Sequence, residues 1–255
     1  MTPRIGLTAA ILLTPCLCFG QAAATSPSVP VLVELFTSEG CSTCPPADKF
    51  LELLDTQPLP GMQLIVLSEH VNYWDHQGWK DPYSSSELTQ RQSNYASRFR
   101  LNDVYTPQMV VDGRAQMSGV SFKEADAALK DAVKDPKADL RITDAALDGG
   151  KLRVHVESAL NLPEKTRDAE LYVAVALNHT ESSVSAGENA KKHLTHTSVV
   201  RNMVRVAKFK AGEKVARDVE CKVDAKDAGN LRVIAFLQEP GSGRVLGSTM
   251  KPVPH

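Results

Sequence analysis

"ELFTSEGCSTCPPADKFLELL", residues 34–54, carries two cysteines, Cys41 and Cys44, between an apolar run and a helical pattern. The run "VLVELF" (31–36) has the length and β-rich composition of a strand and ends in the polar loop "TSEG". Downstream, "PPADKFLELLD" repeats Ala47, Phe50, Leu51 and Leu54 at helical spacing. Pro45 and Pro46 stand at its front, where a missing N–H costs little. A C-x-x-C in this position reads as a catalytic dithiol, half of a metal site, or a structural staple. For a dithiol, the positive end of the helix stabilises a thiolate on the first cysteine. Cys41 is then expected at an exposed tip, attacking, with Cys44 one turn in and more covered, resolving the mixed disulfide. The metal reading lacks a second C-x-x-C and the usual His spacing.

Working outward, "MQLIVLSEHV" (62–71) is the next strand, and "SSSE" (84–87) has capping-box form, Ser84 with Glu87, opening a helix to about Phe99 or Arg100. "YTPQMVVDG" (105–113) reads as a strand entered through Pro107 and ended by Asp112-Gly113. "SFKE" (121–124) is a second capping box, leading into Phe122, Ala125, Leu129, Ala132 and Val133. Strand and helix alternate three times to residue 135, the grammar of an α/β layer fold. From about Ala138 the period becomes two, as in Leu152, Val154, Val156 and in Leu171, Val173, Val175, Leu177, with turns at "DGGK", "DAGN" and "EPGSG". Residues 138–255 are therefore expected to be an all-β, sandwich-like unit. The polar run "TESSVSAGENAKKH" (180–193) reads as an exposed loop.

The 255 residues are 42% apolar and 23% charged, which excludes a disordered chain. A net charge of −1 gives no reason to expect nucleic acid or an anionic membrane as partner. Residues 1–24 carry Arg4, an apolar run from Ile5 to Phe19 and an A-x-A pattern at Ala22 and Ala24. This reads as a cleavable signal peptide, too short and too broken by Pro15 to span a bilayer. A lipidated Cys16 is the lesser reading. The expected mature protein is periplasmic or secreted, without stable membrane insertion, and keeps three cysteines: the close pair and Cys221. Cys221, in the alternating "DVECKV", is expected to be a buried thiol.

The order strand, C-x-x-C, helix, strand, helix, then Thr106-Pro107 entering a strand, resembles the thioredoxin fold. More narrowly, "VELFTSEGCSTCPPAD", "YTPQMVVDG" and "LTHTSVVR" resemble the secreted thioredoxin-like proteins of domain-of-unknown-function family 1223. The resemblance implies a thioredoxin-like domain over 31–136, followed by the β unit over 138–255. It also implies Cys41 as nucleophile, Cys44 as resolving thiol, and a cis bond at Pro107, whose strand, with Thr106, would hold the substrate peptide. Glu34, in the strand before the dithiol, falls near where thioredoxins keep a buried proton-moving acid, although the loop after that strand is one residue longer here. The family name carries no activity, so thiol–disulfide exchange on protein cysteines, with no cofactor, follows only by analogy.

The span from Cys44 to Pro107 contains an aromatic insert, "HVNYWDHQGW" (70–79). Tyr73, Trp74 and Trp79 are candidates for a substrate rim over the dithiol. The insert reads equally as a loop packed on the sheet, and His70, Asp75 or His76 with the thiolates could hold Cu(I). Two alternatives to exchange therefore stand: a non-catalytic binding module with a permanent disulfide, and a copper-delivery protein.

Overall fold

A computed structural model describes residues 28–162 and 168–254. The expected signal peptide lies outside the described residues. The chain runs β1 (Val29–Thr37), α1 (Pro45–Thr56), β2 (Met62–His70), α2 (Ser86–Phe99), β3 (Gln108–Val111), β4 (Ala115–Ser118) and α3 (Phe122–Ala132). It continues through β5 (Leu140–Asp148), β6 (Lys151–Ser158), β7 (Ala169–Ser183), β8 (His193–Phe209), β9 (Ala216–Lys222), β10 (Leu231–Gln238) and β11 (Val245–Pro252).

The expected division into a thioredoxin-like α/β domain and a separate β sandwich does not hold. Eight strands form one mixed sheet, in the order β11-β10-β7-β8-β2-β1-β3-β4. The halves meet where β2 pairs in parallel with β8 at Ser68 and Val199, and the Ser198 hydroxyl donates across the seam to the Val66 carbonyl at 2.6 Å. The remaining strands form a small sheet, β5-β6-β9, packed on β7, β8 and β10 around Leu152, Val154, Leu171, Val173 and Val233. A further core joins Leu32, Ile65, Leu67 and Leu88 to Ala174, Val200, Ile234 and Phe236, crossing the expected boundary. The physical reason is an open edge: β2 is fully paired by β1 on one side only, and β8 meets its other side at that bridge and at the Val66 carbonyl.

Alternation along β1 sets the two faces that position the site. Val31, Val33 and Leu35 pack on Ala47 and Leu51 of α1 and on Ala125 and Leu129 of α3. On the opposite face, Leu32 packs against Leu88 of α2 and Phe36 meets Tyr95. The α1 helix begins directly after Cys44, which is its N-cap, with Pro45 and Pro46 in its first two positions.

Three local expectations shift. Ser85, rather than Ser84, caps α2, accepting from the Glu87 N–H at 3.1 Å, because Ser84 Oγ is engaged by Asp75 and the Asp81 carbonyl. Ser121 makes no side-chain cap on α3. Asp112-Gly113, both at positive φ, turn the chain back into β4 rather than merely ending β3, in a three-residue connection between paired Val111 and Ala115.

Candidate functional site

Cys41 and Cys44 are joined as a disulfide with a Cα separation of 5.4 Å. Cys44 accepts at its carbonyl from the Ala47 and Asp48 N–H groups as α1 begins. Pro45 and Pro46 remove two donors that a thiolate could otherwise use, which leaves the helix dipole and a nearby hydroxyl. That hydroxyl is Thr43 Oγ1, 3.4 Å from Cys41 Sγ.

Cys41 is not at an exposed tip: both cysteines are 0% exposed, while Ser42 and Thr43 between them face solvent. Two segments cover the pair. Trp74, from the aromatic insert, packs so closely on Gly40 that a Cβ there would lie 3.0 Å from Trp74 Cβ. The connection between β7 and β8, expected to be an exposed loop from 180 to 193, is strand to Ser183 and then folds onto the site. Buried Asn189 donates through Nδ2 to the carbonyls of Glu39 at 2.8 Å and Cys41 at 2.9 Å. Its neighbour Glu188 accepts from the Ser42 N–H at 3.2 Å.

Of the rim candidates, Trp74 and Trp79 bond to the protein itself. Trp74 donates from its indole N–H to Thr106 Oγ1 at 2.8 Å, directly before the cis bond to buried Pro107. Tyr73 leans on Trp74 at 6.4 Å between ring centroids. The Trp79 indole donates to Glu39 Oε2 at 2.7 Å. All three are half-buried.

Glu34 is not brought to the sulfurs. It lies on the α2 face of β1, where Arg91 Nε donates to Oε1 at 2.6 Å and the Tyr95 hydroxyl to Oε2 at 2.6 Å. Glu69 shares this pocket, and burial first, then the Glu34 carboxylate, push its acid well above the usual range. On the dithiol side, the titratable groups are others. Asp48 follows Cys44 by four residues, on the same buried face of α1 as Ala47 and Leu51. His196 of β8 lies 3.8 Å from Asp48 Oδ1 through Nδ1 and 3.5 Å from Glu39 Oε1 through Nε2. Burial opposes its charge, yet Asp48 and Glu39 push the imidazole up to about 10. Beside it, at 4.7 Å between ring centroids, His70 bonds Asp81 through Nδ1 at 2.7 Å. Burial would raise Asp81, but the His70 charge and the Glu39 and Tyr83 N–H groups bring it down to about 2.

His70 and Asp75 are thus engaged in the fold, and His76 is exposed. Among the described residues, no group of three or more His, Cys, Asp or Glu is arranged to hold a metal ion. No helix among them is long and apolar enough to cross a membrane. Cys221 is buried and unpaired by disulfide.

Sequence reasoning missed Asp48, Glu39, His196 and Asn189. Asp48 carried a signal, since its place four residues after Cys44 puts it on the buried face of α1. Asn189 carried none: a polar loop that covers a site and one that faces water have the same composition.

No curated protein matches the chain. Among solved structures, protein AGR_C_4864 from Agrobacterium tumefaciens is similar at 23% identity, over 90% of this chain and 99% of that one, with a TM-score of 0.67. HBP35 of Porphyromonas gingivalis is similar at 13% identity, over 89% and 76% of the two chains, with a TM-score of 0.65. Both likenesses concern the fold. The family described as "Protein of unknown function (DUF1223)" matches residues 32–238, and the chain belongs to that family.

Proposed function

We propose that the chain is an exported protein that carries out thioredoxin-like thiol–disulfide exchange on protein cysteines through Cys41 and Cys44. The observation that carries this reading is the position of the pair: a disulfide with two intervening residues at the start of α1, beside the exposed turn Ser42-Thr43. In the reduced protein, the Cys41 thiolate attacks a client disulfide, forms a mixed disulfide and releases one client thiolate. Cys44, deprotonated, then attacks Cys41 Sγ, which closes the internal disulfide and releases the second client thiolate. The reverse sequence oxidises a client dithiol. Thr43 Oγ1 is placed to donate to a thiolate on Cys41. Export is supported by the leader-like residues 1–24.

A second reading, a binding module with a permanent disulfide, is favoured by the complete burial of both sulfurs. Equilibration in glutathione buffers separates the two. A potential above about −270 mV, with exchange abolished by Cys41→Ser, supports exchange. A potential below about −300 mV, with Cys41→Ser leaving glutathione exchange unchanged, establishes the staple.

A further inference from the structure

Exchange requires a client sulfur to reach Cys41, which is buried, and the segment 184–192 is bonded to the turn that carries it. The segment is a self-closed loop: the Val184 N–H donates to the Lys192 carbonyl at 3.0 Å and the Lys191 N–H returns to the Val184 carbonyl at 2.8 Å. Its ends therefore meet at a neck on the β7–β8 hairpin, a geometry that lets the loop move as a unit. Most of it is small and polar, with Ser185, Glu188, Ala190, Lys191 and Lys192 exposed. Its grip on the dithiol turn is polar: the two bonds from Asn189 and the one to Glu188. Asn189 is itself held in place by Lys192, whose Nζ donates to Oδ1 at 2.8 Å. Gly187, at φ +75°, lets the loop lie against the aromatic insert; a Cβ there would lie 3.2 Å from the Gln77 carbonyl oxygen and from Trp79 Cβ.

We propose that residues 184–192 are a movable strap over the dithiol, latched by Asn189, and that Cys41 becomes reactive only when the strap lifts. A cover held by a few hydrogen bonds and little apolar area opens at a free energy well below global unfolding. Release also frees the Ser42 N–H and the Cys41 carbonyl, a donor and an acceptor that an extended client backbone can take in place of the strap. Asn189 is a positioning residue: it touches the backbone of Cys41, not the sulfur.

This inference rests on the exchange reading, so its test is one that does not need exchange. The full chain is reduced and labelled with N-ethylmaleimide, and the modification of Cys41 and Cys221 is followed separately by peptide mass. Asn189→Ala removes both hydrogen bonds from this side chain to the dithiol turn, and Cys41 labelling is expected to accelerate about tenfold or more while Cys221 labelling is unchanged. Should Cys221 also accelerate, Asn189→Ala has loosened the whole fold and Glu188→Ala, at an exposed position, decides; a rise of about threefold at Cys41 alone supports the strap. Unchanged Cys41 labelling in the deciding variant overturns it. Faster Cys41 labelling with no glutathione exchange leaves the strap standing and removes the exchange reading. Unchanged labelling in a protein that does exchange removes only the strap.

Discussion

His196 faces two buried carboxylates, and its charge matters to both. Asp48 approaches from α1 and Glu39 from the loop before the dithiol. His70 comes from β2, with Asp81 behind it, and the Tyr83 ring lies 6.3 Å away between centroids. The imidazole is pushed up to about 10 in the folded protein, against about 6.5 when unfolded. A group whose folded pKa is the higher one stabilises fully below its unfolded value and loses that contribution as pH rises. The wild-type urea midpoint is therefore expected to fall between pH 6.5 and 10. His196→Gln should cost about 3 kcal/mol or more at pH 6, because it leaves two buried acids unpaired, and should flatten that limb. Parallel pH curves for the two proteins would remove His196 as the group responsible. None of this was legible locally: β8 exposes His193 and buries His196, and the partners of His196 lie far away in sequence.

At the scale of the element, the turn Asp112-Gly113 does more than close the β3–β4 hairpin. Asp112 accepts from the Leu32 N–H at 2.9 Å and pairs with Lys137, fastening the turn to β1 and to the linker before β5. Gly113 lies so close to the β10–β11 hairpin that a Cβ would fall 1.9 Å from the Gly243 carbonyl oxygen. Gly61 has a similar left-handed backbone, φ +75°, but a Cβ there would meet nothing within 4 Å. Gly61→Ala is expected to cost about 1 kcal/mol, the backbone term alone. Gly113→Ala adds a main-chain clash and should cost at least about 2 kcal/mol more. Equal losses in urea unfolding would mean that the hairpin moves aside freely. The turn chemistry was visible in the sequence as Asp-Gly, but the four-residue β4, "AQMS", has none of the β-branched or aromatic residues that mark a strand, so the turn read as an end. The first capping box failed for a related reason: the motif names residue types, and a neighbouring acid, here Asp75, claims Ser84 first.

Across the whole molecule, the strand and helix periods to residue 135 and the alternation after 138 were legible, because both are local. The join was not, because no pattern marks which strand edge a sheet will extend from. The backbone seam is slight, one bridge pair at Ser68 and Val199. The side chains across it are not: Leu32, Ile65, Leu67 and Leu88 share a buried cluster with Ala174, Ala176, Val200, Ile234, Phe236 and Val245. Separating the halves would expose that cluster on both, a loss of roughly 1.5–3 kcal/mol per large buried side chain. Such coupling makes the chain one cooperative unit rather than two. The sequence supplies its own probes, since Trp74 and Trp79 are its two tryptophans and both precede residue 137, whereas Cys221 follows it. Tryptophan emission therefore reports the first half, and labelling of the buried Cys221 thiol in β9 reports the second. In urea, the two signals are expected to trace a single transition with one midpoint. Midpoints that differ would show that the seam yields first and that the halves unfold as independent bodies despite the shared sheet.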